Sequence, residues 1–257
     1  MIDGCKPLVG VLGGMGPAAT LDFLAKVLAA TPVAQDQDHI PVAVWSDPRI
    51  PNRNLAILDP ERHPSPTPDL QAGARKLEAL GADFIAIACN TAHHWHDDIQ
   101  GAVGVPVLHI ADIAVARLAA AGHGAGTAVG LMCSDGTLAS GYYDRRLRAS
   151  DMPVLRPTAD MQRRMMEAIY AVKVGAMARA EDLSRALARE FLGEGADVLL
   201  VACTELPLAL GPDMRALPCL DATVCLAEAC VERALAPAGP QRTPPAPTSA
   251  GEPTRAM

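Results

Sequence analysis

Two cysteines, Cys89 and Cys203, stand 114 residues apart at the ends of nearly identical stretches. One reads Gly81-Ala82-Asp83-Phe84-Ile85-Ala86-Ile87-Ala88-Cys89, the other Gly195-Ala196-Asp197-Val198-Leu199-Leu200-Val201-Ala202-Cys203. Each is a turn, a short apolar run and a thiol in the same register. A polar residue suited to helix capping follows, Asn90 or Thr91 in one copy and Thr204 in the other. Short apolar runs of this kind read as buried parallel strands. Each thiol then sits at the carboxyl end of a strand, where ligands of open α/β sheets bind. A following helix amino terminus favours negative charge and lowers a thiol's pKa from about 8.5. Buried cysteine often merely fills space, but filler has no reason to recur at one register of two strands. A matched pair of thiols suggests chemistry with two equivalent acid/base groups.

The elements that must position them alternate along the chain. Leu8 to Gly13 reads as a strand, and Pro17 suits the first turn of a helix running to Ala30. Strands are expected at Pro41–Ser46, Asp83–Ala88 and Val105–Ile110, with a helix at Asp69–Leu80. A second series opens at Ala128–Met132, which echoes Leu8–Leu12 at an offset of 120. Helices follow at Ser140–Arg148, Ala159–Val172 and Ala176–Leu192; in the last, Leu183, Leu187 and Phe191 mark one face. A strand at Ala216–Leu220 and a helix at Thr223–Leu235 close the series.

This alternation predicts an α/β fold with parallel sheets and right-handed crossovers. The double echo predicts two pseudo-symmetric lobes, each a mainly parallel sheet flanked by helices, with the active site in the cleft between them. Residues 1–108 completed by 211–235 would form the first lobe and 109–210 the second. From Ala236 the chain turns to Pro, Ala, Thr and Ser, with six prolines in its last 22 residues, so 236–257 reads as a disordered tail.

Composition narrows the partners. Half of the 257 residues are apolar but only 3% are aromatic, so Ala, Leu, Val and Ile must build the interior. A net charge of −7 without a basic run argues against nucleic acid. No apolar stretch approaches the roughly 18 residues that span a bilayer, and Met1-Ile2-Asp3-Gly4-Cys5-Lys6 lacks the regions of a signal peptide. Seven cysteines without CxxC or metal-finger spacing read as reduced thiols in a cytoplasm.

Four motifs, in order, carry a resemblance: Gly13-Gly14-Met15-Gly16-Pro17, Asp36-Gln37-Asp38-His39, Cys89-Asn90-Thr91-Ala92-His93 and Cys203-Thr204-Glu205-Leu206-Pro207. Together they resemble the aspartate/glutamate racemase superfamily over about residues 8–230, most closely its aspartate racemase branch. Glu205, where glutamate racemases usually carry histidine, tilts the branch toward aspartate. The resemblance implies a small amino-acid substrate, no pyridoxal phosphate or other cofactor, no metal, and a homodimer. It implies that Cys89 and Cys203 flank the substrate's α-carbon, one thiolate removing the proton and the opposite thiol returning one to the other face. It further implies that Arg53 and Lys173 contact substrate carboxylates, that Met15 lines the site, and that Asn90, Thr91, Ala92, Thr204 and Glu205 hold the α-carboxylate through backbone and side-chain donors. The loop Ile50-Pro51-Asn52-Arg53-Asn54 departs from the family's usual Ile-Pro-Asp-Arg-Thr.

Such chemistry suits these residue types. Removing an α-proton pushes charge into the carboxylate, which preorganised donors must stabilise; arginine clamps a carboxylate in two places, and lysine offers a point charge. Other readings stand beside this one. Gly14-Met15-Gly16-Pro17-Ala18-Ala19 fits a dinucleotide fingerprint, which leaves the cysteine repeat unexplained. His93, His94 and His96 could be imagined around zinc, but no second cluster accompanies them. Isomerases or racemases of glutamate, maleate-type or varied amino-acid substrates, and a silent binder of acidic amino acids or nucleotides, complete the alternatives.

Overall fold

The computed structural model describes residues 6–236, so the tail expected beyond that point lies outside the described residues. In chain order the elements are β1 (Val9–Gly13), α1 (Pro17–Ala30), β2 (Val42–Ser46), α2 (Arg53–Leu58), α3 (Thr67–Ala79), β3 (Phe84–Ile87), α4 (His96–Gln100), α5 (Ile110–Ala120) and β4 (Val129–Cys133). Then come α6 (Asp135–Ser140), α7 (Tyr142–Ala149), β5 (Val154–Leu155), α8 (Ala159–Lys173), α9 (Met177–Gly193), β6 (Val198–Ala202), α10 (Leu206–Leu210), β7 (Cys219–Asp221) and α11 (Ala222–Leu235). Two sheets form, in the orders β2-β1-β3 and β5-β4-β6-β7. Every strand pairing is parallel. The expected two-sheet α/β architecture is therefore observed.

The repeat noticed in sequence has a physical basis at each strand entry. Gly81 and Gly195 take φ of +92° and +97°, the left-handed turn that ends a helix and that glycine adopts without strain. Two residues on, Asp83 Oδ2 accepts from the Leu8 amide at 2.7 Å and Asp197 Oδ2 from the Ala128 amide at 2.8 Å. Gly-Ala-Asp is thus a stop, a spacer and a latch to the neighbouring strand.

Strand periodicity then decides which way each residue faces. Val9 and Val11, Phe84 and Ala86, Val129 and Leu131, and Val198 and Leu200 all enter one core shared by the two sheets. Phe23 of α1, Ala114 of α5, Tyr143 of α7 and Leu226 of α11 fill it. The opposite faces pack outward: Leu12, Ile85 and Ile87 against Leu70 and Leu77 of α3, and Met132, Leu199 and Val201 against Met165 of α8 and Leu187 of α9. Cys89 belongs to the first outer set and Cys203 to the second, so the two thiols share a parity as well as a strand end.

Three expectations need correction. Val105–Ile110 is not a strand: one parallel bridge joins Val107 to Ile85, Pro106 has no N–H to extend a ladder, and α5 begins at Ile110. The helix expected at Ser140–Arg148 is observed as α7 but starts only at Tyr142, because Gly141, with φ of +63°, separates it from α6, a helix not expected. Of the segment 211–235, expected to complete the first lobe, the strand β7 pairs with β6 in the second sheet while α11 packs against α1. Pro106 and Pro218 play the same part in the two halves, accepting from the amides of Ile85 and Leu199 at 2.9 and 2.8 Å. The edge of β3 is already met by Val107, so β7 joins β6, and only α11 returns to the shared core.

Candidate active site

Both cysteines line one cleft at the strand ends. Met15, Arg53, Asn90, Thr91, Lys173, Thr204 and Glu205 line it with them, as do Asn52, Asn54, Ser134 and Ile169. Of the expected site residues only Ala92 is absent from the wall; it packs into the core behind Cys89. Ser134 and Ile169 were not anticipated. The signal for Ser134 lay in the offset of 120, which makes it the counterpart of Gly14 in the glycine motif.

The Cys89 side is built from neutral groups, many reaching across from the second half of the chain. The Tyr143 hydroxyl donates to Asn90 Oδ1 and the Tyr142 hydroxyl to the Asn90 carbonyl, both at 2.7 Å. Thr91 Oγ1 lies 2.8 Å from Ser134 Oγ and 3.1 Å from Thr137 Oγ1, which is itself 3.1 Å from Ser134. This buried triangle of hydroxyls can satisfy itself in a ring, so the Thr91 side chain is committed to structure. The Gly136 amide donates to Asn54 Oδ1 at 2.9 Å. A Cβ on Gly136 would fall 2.6 Å from that oxygen and 2.8 Å from Thr91 Cγ2, so the approach requires glycine.

His93 is buried beneath this turn. Its Nδ1 donates to the Cys89 carbonyl at 2.9 Å, and burial lowers its pKa to about 4. His94 meets Ser140, and His96 donates from Nε2 to the Val107 carbonyl at 2.9 Å. Among the described residues no group of three His, Cys, Asp or Glu could hold a metal.

The Cys203 side is charged. The Cys203 thiol donates to Glu205 Oε2 at 3.2 Å, and the Thr204 hydroxyl to the same oxygen at 3.1 Å. Lys173 Nζ stands 3.5 Å from Glu205 Oε1, an ion pair without an aligned hydrogen bond. Burial, and then the Glu205 charge, push the Cys203 thiol well above its usual range. One expectation changes here. The helix after Cys203 has five residues and does not make that thiol acidic.

Arg53 is rigidly held. Its Nη1 donates to the carbonyls of Ile50 and Pro51 at 2.9 and 2.7 Å, and Nη2 to that of Met15 at 3.0 Å. The loop's asparagines are explained locally: Asn52 caps α2, and Asn54 receives Gly136. Two residues that line the cleft each carry a buried donor without a partner, Arg53 Nε and Asn90 Nδ2. A buried N–H without an acceptor is costly unless a ligand supplies one. In the dinucleotide-like motif Gly14 is fixed by close packing, since a Cβ there would meet Asp47 N at 2.3 Å, whereas one on Gly16 would meet only Glu205 Oε1 at 3.6 Å.

The chain and its fold are similar to known proteins. The Asp/Glu/Hydantoin racemase family model matches residues 12–230. The broad specificity amino-acid racemase RacX of Bacillus subtilis (strain 168) is 30% identical over 234 residues, 89% of this chain and 99% of its own. The structure is similar to that of Picrophilus torridus aspartate racemase, with a TM-score of 0.79 and 31% identity over 89% of this chain and 94% of that one. Francisella tularensis glutamate racemase in complex with D-glutamate, at 15% identity and a TM-score of 0.63, covering 88% of this chain and 80% of that one, shares the fold. With most of its length matched by the family model, the chain belongs to the Asp/Glu/Hydantoin racemase family, and its class is that of an amino-acid racemase, an isomerase.

Proposed function

We propose that the protein interconverts the enantiomers of an acidic amino acid, aspartate first, by two-base proton transfer between Cys89 and Cys203 without pyridoxal phosphate. The observation that carries this reading is the meeting of two thiols, from equivalent strand ends, in one cleft lined also by two residues with an unpartnered buried donor each. A base on one face removes the α-proton and becomes a thiol. The thiol on the other face gives its proton to the carbanion and becomes a thiolate. The product leaves inverted, and the pair has exchanged protonation states.

The resting arrangement supports one order of roles. Cys203 keeps its proton, hydrogen-bonded to Glu205, so it is the acid and Cys89 the base. Arg53 Nε and Asn90 Nδ2 supply N–H groups for carboxylate oxygens, where charge grows as the proton leaves. Lys173 adds positive charge, while Glu205 Oε1, ion-paired with it but free of hydrogen bonds, can accept from the substrate ammonium. Two separate free donors suit a substrate with two carboxylates.

Chiral chromatography after incubation with each enantiomer, without added cofactor, tests the reading. Aspartate should reach a racemic mixture from either side. Because one relative is a broad specificity amino-acid racemase, a panel of other amino acids belongs in the same assay. No conversion of any of them would defeat the proposal.

A further inference from the structure

Asn90 has two ends, and only one of them can help a developing carboxylate charge. Its Oδ1 is taken by the Tyr143 hydroxyl at 2.7 Å, which leaves Nδ2 buried and without a partner. Tyr143 comes from α7, 53 residues along the chain, and its side chain is fully buried. Burial raises the phenol far above its ordinary pKa, so the group stays protonated and can donate. Were the amide turned over, the phenol proton would face an NH2 group and lose its acceptor, while an oxygen would take the place of Nδ2 in a residue that lines the cleft. That oxygen would repel the charge that the site must stabilise. The neighbouring Thr91 hydroxyl is committed to Ser134 and Thr137, so it offers no substitute.

We propose that Tyr143 is a positioning residue for racemisation: its hydroxyl fixes the Asn90 amide so that Nδ2 presents its N–H to the substrate carboxylate beside Cys89. The inference rests on the two-thiol reading and adds a residue to it. Tyr142 has a different task. Its hydroxyl holds the Asn90 backbone carbonyl, and that bond does not depend on the Asn90 side chain.

The test is a double-mutant cycle on the full chain. Tyr143→Phe keeps the ring and removes only the hydroxyl. It should lower kcat by about tenfold, part of the hundredfold or more that loss of a whole oxyanion donor costs, while KM changes little. In an Asn90→Ala background the same change should alter kcat by less than about twofold, because no amide remains to be oriented. Tyr142→Phe is the control, and its effect should persist in that background. A purely structural tyrosine would lower the melting temperature and leave this coupling at zero.

A second readout is independent of turnover. The side-chain NH2 signals of Asn90 in a ¹H–¹⁵N spectrum, identified by their loss in Asn90→Ala, should shift in Tyr143→Phe and exchange faster with solvent. Wild-type kcat in Tyr143→Phe, or equal losses with and without the Asn90 amide, would overturn the inference. If the wild-type protein racemises nothing, the two-thiol reading fails, and the amide signals alone decide whether Tyr143 orients Asn90.

Discussion

The Cys89 and Cys203 turns share a backbone and differ in their surroundings. Each follows a Gly-Ala-Asp latch and a strand of the same facing pattern. Around Cys89 the contacts are hydroxyls, an amide and two phenols, all neutral. Around Cys203 they are a carboxylate and an ammonium. The repeat supplies geometry, and the asymmetry supplies chemistry. A two-base reaction needs one acid and one base at any moment, and two identical environments would protonate both thiols alike. Environments that push paired groups apart assign those roles. On the proposed mechanism Glu205 supplies this difference: it accepts from the Cys203 thiol, and its charge adds to burial in pushing that thiol's pKa up.

The hardest test of the comparison removes one thiol at a time. Cys89→Ser and Cys203→Ser should each cut racemisation by at least about a thousandfold, within the range expected for a lost acid or base. Because racemisation has an equilibrium constant of one, kcat/KM must stay equal for both enantiomers in every variant. The asymmetry must therefore be read from exchange of the α-hydrogen with solvent deuterium. Each single variant should exchange one enantiomer preferentially, with opposite preference in the two. If Cys89→Ser racemises normally while Cys203→Ser is dead, the repeat is structural and one thiol suffices.

Glu205→Gln sharpens the comparison by making the two sides more alike. The variant keeps an oxygen that can accept from the Cys203 thiol but loses the negative charge. That charge is one cause of the raised Cys203 pKa, so its removal should bring the pKa down. Activity that needs Cys203 as an acid falls as pH rises through this pKa. The alkaline limb of kcat should therefore move to lower pH, with a loss of roughly tenfold at the optimum. An unmoved alkaline limb would show that Glu205 does not set the state of Cys203.

Much of this was legible in the sequence, and the failures have physical causes. The apolar runs before Cys89 and Cys203 announced themselves, because a strand buried on both faces needs an unbroken apolar stretch. The offset of the echoes gave both halves. The α5 helix went unread: Val105, Val107 and Ile110 favour a strand, whereas Pro106 limits pairing to a single bridge. Tyr142, Tyr143 and Ser134 could not be tied to the Cys89 turn from spacing, since they reach it through a fold closure 43 to 53 residues long. Glu205 was visible as a residue beside the thiol, but its role as an acceptor depends on where its carboxylate turns.

The smallest effect concerns what the two turns have in common. Asp83 and Asp197 each latch a neighbouring strand's amide, at 2.7 and 2.8 Å, in exposed positions. Each bond is worth about 1 kcal/mol, the usual net value of a hydrogen bond in water. Asp83→Ala and Asp197→Ala should therefore each lower unfolding free energy by about that amount, equally within error, in denaturant titration. Neither should change kcat, because each latch lies six residues before its cysteine, about 20 Å away along an extended strand. The double variant should lose about 2 kcal/mol, since the two latches sit on different sheets and share no partner. Unequal losses would mean that the two strand entries are not equivalent. A fall in kcat without a fall in stability would mean that the latch also tunes the thiol above it, and the division between shared frame and distinct chemistry would have to be redrawn.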